Sequence, residues 1–318
     1  MSGVVTAKVD VALVHDQRAD AAAAAVLRRL LEVIGDDVEG SIAGEDDEYL
    51  HQLRIAVRRS RTVQRQLAGV FPPRELPGFR TEFRWLQQAT GDVRDLDVYV
   101  HDLDDLRALL AAEHRADLDP LLPALVRRRE VARAQLAAAL RSRRAVELLA
   151  DWEVLLESLV ELPLGDRPEA AQTIGAVAGE RIRRVYARIV RMGRAVNSSS
   201  PAEEYHELRK KGKELRYLLE LFGVKLFDDE VVGPLVRSLK AFQDVLGRHQ
   251  DREVQIEMLR SMVDEVAPLP GGPAACMAMG TLVERLEADK LAARAEFGES
   301  FAAFSEKSQR RLVRDTFV

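Results

Sequence analysis

Residues 49–67 read YLHQLRIAVRRSRTVQRQL: one histidine followed by five arginines, with no carboxylate among them. At roughly 100° per residue, His51, Arg54, Arg58, Arg61 and Arg65 fall within about 80° of one another on one helical face. The stripe they form is about 21 Å long at about 1.5 Å per residue. Leu50, Leu53, Val57 and Leu67 occupy other sectors and are free to pack. Like charges stacked at i, i+3 and i+4 weaken a helix by tenths of a kcal/mol per pair, so local stability does not explain the stripe. An ordinary solvated face mixes signs; this one does not, in a chain whose formal net charge is −5.

The theme returns 155 positions later, where 205–217 read YHELRKKGKELRY. His51 aligns with His206, Arg54 with Arg209, Arg58 with Lys213, and Arg61 with Arg216. A second pair of segments follows at a separation of 156, FRWLQQATGDVRDLDV (83–98) and LKAFQDVLGRHQDREV (239–254). There Arg84 aligns with Lys240, Gly91 with Gly247, Asp95 with Asp251, and Asp97 with Glu253. Two linked motifs recurring in one register define a duplicated unit.

Composition sets the fold class. The 318 residues are 47 % apolar, 31 % charged and 5 % aromatic, a helix-forming mixture without sustained β-branched alternation. The breaks predict four helices per half, at 18–38, 47–69, 77–111 and 117–160, then at 169–196, 201–222, 230–265 and 274–306. The expectation is an all-α protein of two four-helix bundles from an internal duplication. Its divisions are an N-terminal extension 1–17, a first bundle 18–160, a linker 161–168, a second bundle 169–306 and a C-terminal tail 307–318. No apolar run reaches the length of a membrane span, no secretory signal is visible, and the lone Cys276 fits a reducing cytosol. A cytoplasmic location is expected.

With the histidine helices, the Gly-x-x-x-Asp-x-(Asp/Glu) segments and the duplication in hand, the sequence resembles the CHAD family, the conserved histidine α-helical domain. EDDEYLHQLRIAVRRSR and WLQQATGDVRDLDV carry the likeness in the first half, EEYHELRKKGKELRY and LGRHQDREV in the second. The resemblance implies paired four-helix bundles related by pseudo-twofold symmetry, whose basic helices face one another across a basic central cleft or pore. It also implies binding of inorganic polyphosphate, association with polyphosphate granules and their proteins, and frequent company with a triphosphate-tunnel hydrolase domain. No Glu-x-Glu-x-Lys motif of that partner occurs here. The sequence departs from an even repeat at Gln250, which stands opposite Arg94, and at Glu207 and Glu214 in the second stripe.

The residue types suit the ligand. Polyphosphate carries about one charge per phosphate and has no bases to read. Arginine forks hold two phosphate oxygens at once, and lysine adds a mobile charge. The expected contacts are Arg54, Arg58, Arg61, Arg209, Lys213 and Arg216, then Arg65, Arg84, Lys210 and Lys240, with Arg29 and Arg184 as outlying candidates. His51 and His206 are either ligand contacts or hydrogen-bonders that fix the stripe. Asp95, Asp97, Asp251 and Glu253 are expected to orient basic side chains of neighbouring helices, and Gly91 and Gly247 to allow close helix approach. No cofactor, metal or catalytic residue is expected. Two rival readings remain: nucleic-acid binding by the same face, which usually brings stacking aromatics, and a metal-dependent phosphohydrolase built on His15–Asp16 or His101–Asp102.

Overall fold

The computed structural model describes residues 9–317, and every regular element among them is a helix. Positions 1–8 of the expected N-terminal extension lie outside the described residues. The first half contains α1 (Ala19–Ala43), α2 (Asp47–Gln66), α3 (Leu76–Ala89), α4 (Gly91–His101), α5 (Leu103–Ala108), α6 (Leu121–Leu140) and α7 (Arg143–Ser158). The second contains α8 (Ile174–Ala195), α9 (Ala202–Leu218), a π-helical turn Leu219–Gly223, α10 (Val224–Leu226), α11 (Asp229–Val266), α12 (Gly272–Phe304) and α13 (Lys307–Thr316).

Local chemistry places the basic helix. Gly44 closes α1 at φ 66, a left-handed conformation that suits glycine. The Asp46 carboxylate then accepts from the Glu48 amide at 2.8 Å and opens α2.

Two of the helices expected in the first half are broken. The 77–111 helix ends at Thr90 and resumes as α4. The Thr90 hydroxyl donates back to the Leu86 carbonyl at 3.0 Å, a bond that bends helices. The aligned positions Leu246 and Gly247 lack that hydroxyl, and α11 runs unbroken for 38 residues. Glycine alone therefore does not break the helix. Nor does close approach explain these glycines: an added Cβ would meet only Arg54 Nη1, at 3.7 Å, on Gly91, and nothing within 4 Å on Gly247. The 117–160 helix restarts at Ser142, whose hydroxyl accepts from the Ala145 amide at 3.3 Å.

The halves share their interior. One apolar core joins Leu30, Leu53, Phe83 and Trp152 of the first half to Ile182, Leu208, Phe242 and Phe297 of the second. A smaller one joins Leu103, Leu121 and Leu125 to Leu259, Met262 and Leu282. The connecting segment is pinned rather than loose. Arg167 is 3 % exposed, donates to the Val70 carbonyl at 2.9 Å and meets the fully buried Asp20 at 3.1 Å. Removing one member of such a buried pair costs roughly 3–5 kcal/mol. The segment 307–318, expected as a tail, is helical over Lys307–Thr316. Val313 and Phe317 are buried at i, i+4 spacing, and Phe317 meets Phe227 with ring centroids 4.8 Å apart.

Candidate functional site

Helices α2 and α9 cross antiparallel at the centre of the molecule. Arg65 near the end of α2 meets Glu214 on α9 at 3.2 Å, and Arg59 one turn and a half earlier meets Glu220 at 2.5 Å. Gln66 adds a hydrogen bond to the buried Glu214. With α4 and α11 they enclose a cavity of about 460 Å³. Its lining comes in pairs related by the repeat: His51 with His206, Arg54 with Arg209, Arg58 with Lys213, Arg94 with Gln250, Asp95 with Asp251 and Val98 with Val254. The two basic stripes thus converge on one space.

A second cavity of about 460 Å³ adjoins the first. Arg58, His206, Arg209 and Lys213 line both. The second continues past Arg61 and Arg65 of α2 and Lys210 and Lys211 of α9. Together they form a channel with a basic centre and one basic lateral arm.

The cations differ in their freedom. Arg54 is 6 % exposed and donates to the Gln87 carbonyl at 3.2 Å and the Thr90 hydroxyl at 3.0 Å, at the α3–α4 break. Burial, with Arg58 beside it, lowers its pKa to about 10. Arg54 is thus as much a structural brace as a wall residue. Arg61 donates to the Gln87 side chain, and burial, with Arg65 and Arg84 nearby, lowers its pKa. Arg209 reaches Asp251 at 3.6 Å, and burial lowers its pKa against that carboxylate's pull. Lys210 pairs with Glu207 and Lys211 with Glu214. Arg58 and Lys213, which stand opposite each other in the repeat, have no ion-pair partner among the described residues. Burial, then Arg209 and Arg58, lowers the Lys213 pKa to about 7.

The histidines differ too. His206 Nδ1 is hydrogen-bonded to the Gln250 side chain. In His51, burial and then the Arg94 charge lower the pKa, which favours the neutral ring in the empty channel. A third histidine, His249, is 2 % exposed, stacks on Tyr205 and accepts from Arg294 at 3.0 Å. It belongs to the packing at the start of α9.

Several expected contacts lie elsewhere. Arg84 is exposed on α3, and Lys240 is exposed beside Asp244 at 3.9 Å; neither lines the channel, because each stands on the outward sector of its helix. Arg216 is turned onto Glu220 at 2.6 Å. Arg29 pairs with Glu32 at 2.9 Å and Arg184 with Glu180 at 3.7 Å, both within their own helices. Of the four carboxylates, Asp95 and Asp251 line the cavity. Burial raises the pKa of both, against the pull of Arg54 on Asp95 and of Arg209 on Asp251. Asp97 is 2 % exposed and faces away, holding Arg133 at 3.2 Å and Arg129 at 3.7 Å on α6. Glu253 is not a lining residue. Sequence reasoning missed Arg94 and Lys211. Arg94 shares a helical face with Val98, one turn on, and that periodicity was its only signal.

Helices alone, two repeat-related basic faces and an anion-sized channel between them define an all-α protein with a central cationic site. The family follows: the chain belongs to the CHAD domain family, whose model matches residues 25–260. Among solved structures, the chain is similar to the crystal structure of the CHAD domain from the plant Ricinus communis. That likeness has 23 % identity and a TM-score of 0.76, over 96 % of this chain and 98 % of that one. It is also similar to PptA from Streptomyces chartreusis, at 20 % identity and a TM-score of 0.65, over 90 % and 99 % of the respective chains. No curated protein matches it in sequence.

Proposed function

We propose that the protein binds inorganic polyphosphate in this channel, non-catalytically, and that such binding can target it to polyphosphate granules. The observation that carries the reading is the pairing of Arg58 with Lys213 at the channel's centre, two cations without carboxylate partners and flanked by Arg54 and Arg209. Burying unpaired cations together is costly in the empty protein, and a multivalent anion removes that cost. Family membership supports the same ligand class. Among the described residues, Tyr99 and Tyr217 are the only Phe, Tyr or Trp side chains lining the channel, fewer than base stacking along a strand asks for. His15–Asp16 and His101 lie outside the channel lining. No helix among the described residues is long and apolar enough to cross a membrane.

The test is a titration with polyphosphates of defined length, beside single-stranded DNA, at two salt concentrations. With Arg58, Arg61, Arg65, Arg209, Lys210 and Lys213 in contact, the log–log salt slope should be about −4, borrowing roughly −0.7 per contact from single strands. Polyphosphate should displace the DNA and not the reverse. A flat salt response would overturn the assignment, and equal mutual displacement would favour a general nucleic-acid binder.

A further inference from the structure

The channel also contains an amine in an unusual setting. Among the described lysines, the partly buried ones other than Lys213 have partners: Lys211 has Glu214 at 2.7 Å, Lys290 has Glu287 at 2.6 Å, and Lys225 donates to the Val9 and Val11 carbonyls. Lys213 is half-buried, has no hydrogen bond or ion pair among the described residues, and lines both cavities. Its charged neighbours in the channel are the Arg58 and Arg209 guanidinium groups, with Arg54 behind them, and the Asp251 carboxylate, whose opposing pull is weaker than that of the two arginines. An amine whose neighbours are cations is held toward its neutral form, and a neutral lysine amine is a nucleophile. The same guanidinium groups are suited to hold a phosphate dianion beside it.

We propose that Lys213 is an acylation site for acyl phosphates, small molecules whose phosphate end is held by Arg58 and Arg209. The Lys213 Nζ lone pair attacks the acyl carbon, and an N–C bond forms as the bond from that carbon to the phosphate oxygen breaks. Inorganic phosphate leaves into the arginine pair, and the proton lost by nitrogen goes to it. The product is an uncharged Nε-acyl-lysine at the channel's centre. Acylation therefore removes the lysine of the Arg58–Lys213 pair and weakens any polyanion bound there. That regulatory consequence rests on the polyphosphate reading; the acylation itself does not.

The lowered pKa of Lys213, about 7, supports the chemistry. At neutral pH about half of such an amine is neutral, against roughly one in two thousand for an ordinary lysine.

The full chain is incubated with acetyl phosphate at pH 7.5, and occupancy is followed at each lysine by peptide mass spectrometry. Lys213 should be acetylated at least tenfold faster than the exposed Lys240 and Lys307, and added inorganic phosphate should slow it severalfold. Arg58→Gln should lower the acetyl phosphate rate more than the rate with a neutral acetyl ester. Acetylation of Lys213 no faster than at Lys240, or with no protection by phosphate, overturns the proposal. The two readings fail separately. A chain that is acetylated selectively but does not bind polyphosphate keeps this inference and loses the function above. A chain that binds polyphosphate with an inert Lys213 does the reverse.

Discussion

The lateral arm of the channel and the region that the repeat register sets opposite it, called the other arm below, are built from aligned residues and yet behave oppositely. In the arm between the end of α2 and the start of α9, Arg61, Arg65, Lys210 and Lys211 surround open space. In the repeat register, the other arm has Arg216 for Arg61, Glu220 for Arg65, Ile55 for Lys210 and Ala56 for Lys211. There Glu220 draws in both Arg59, at 2.5 Å, and Arg216, at 2.6 Å. The same reversal appears at the crossing itself. Arg59 aligns with Glu214 and Arg65 with Glu220, so Arg59–Glu220 and Arg65–Glu214 are one ion pair seen twice, with its signs divided between the halves. The first half supplies cations and the second supplies their counter-charges. Duplication thus yields a symmetric frame in which one side keeps open space between its ion pairs and the other is closed over Glu220 by Arg59 and Arg216.

The largest effect should come from the part both arms share. Replacing Arg58, Arg209 and Lys213 together with glutamine should lower polyphosphate affinity roughly 100-fold or more, since each hydrogen bond to a charged group contributes about 1.5–3 kcal/mol. Isothermal titration measures this, and a loss under tenfold would place the ligand elsewhere. The arms are separated next. Lys210→Ile with Lys211→Ala gives the open arm the composition of the closed one and should weaken long chains about tenfold, while shortening the phosphate chain at which affinity levels off. Lys211→Ala also frees one partner of the buried Glu214, which keeps Gln66 and Arg65. The converse change, Glu220→Arg, should strengthen long chains severalfold. If both sets of variants changed affinity alike, the distinction between the arms would fail.

Arg54 and Arg209 make the same comparison for stability. Both line the cavity, but only Arg54 braces a helix break, through the Gln87 carbonyl and the Thr90 hydroxyl. Among the described residues, Arg209 meets only Asp251, at 3.6 Å across the channel wall. Arg54→Ala should cost about 1–3 kcal/mol of unfolding free energy, the penalty for orphaning buried acceptors, and Arg209→Ala under about 1 kcal/mol. Urea denaturation decides it, and equal costs would mean that the break needs no brace.

The pattern of legibility follows from the same physics. Helical content, the duplication and the placing of His51, Arg54 and Arg58 on one helical face could be read from periodicity and register, because they depend on spacing along the chain; that this face meets its aligned partner was implied by the family resemblance. Arg84, Lys240 and Arg216 were misplaced because alignment in a repeat does not say which sector of a helix faces the partner. Asp97 does hold basic side chains of a neighbouring helix, but which ones could not be read, because Arg129 and Arg133 lie outside the repeat motifs on α6. The asymmetry of the arms was present in the sequence as Glu214 and Glu220. It became readable only once the antiparallel crossing set Glu214 against Arg65 and Glu220 against Arg59.

The smallest expected effect concerns the lysine of the central pair. Lys213 has its pKa lowered to about 7, by burial and then by Arg209 and Arg58. In the unfolded chain the same lysine titrates near 10.4. Between about pH 7 and pH 10 the unfolded state therefore holds more protons, so folding stability rises with pH across that window. Below about pH 7 both states are protonated, and the cost of a charged amine among arginines is fully present. A bound polyanion reverses the preference by favouring the charged amine, so binding takes up a proton and affinity should fall severalfold from pH 7 to pH 8.5. The His51 ring, whose pKa burial and Arg94 lower, extends the same trend below neutrality. Lys213→Met removes the titrating group. Relative to that variant, the wild-type protein should gain urea resistance from pH 6.5 to pH 9 while losing polyphosphate affinity, and the two trends must run in opposite directions. Parallel trends would mean that Lys213 is paired in solution and that the channel's centre is not the unneutralised cation pair on which ligand binding depends.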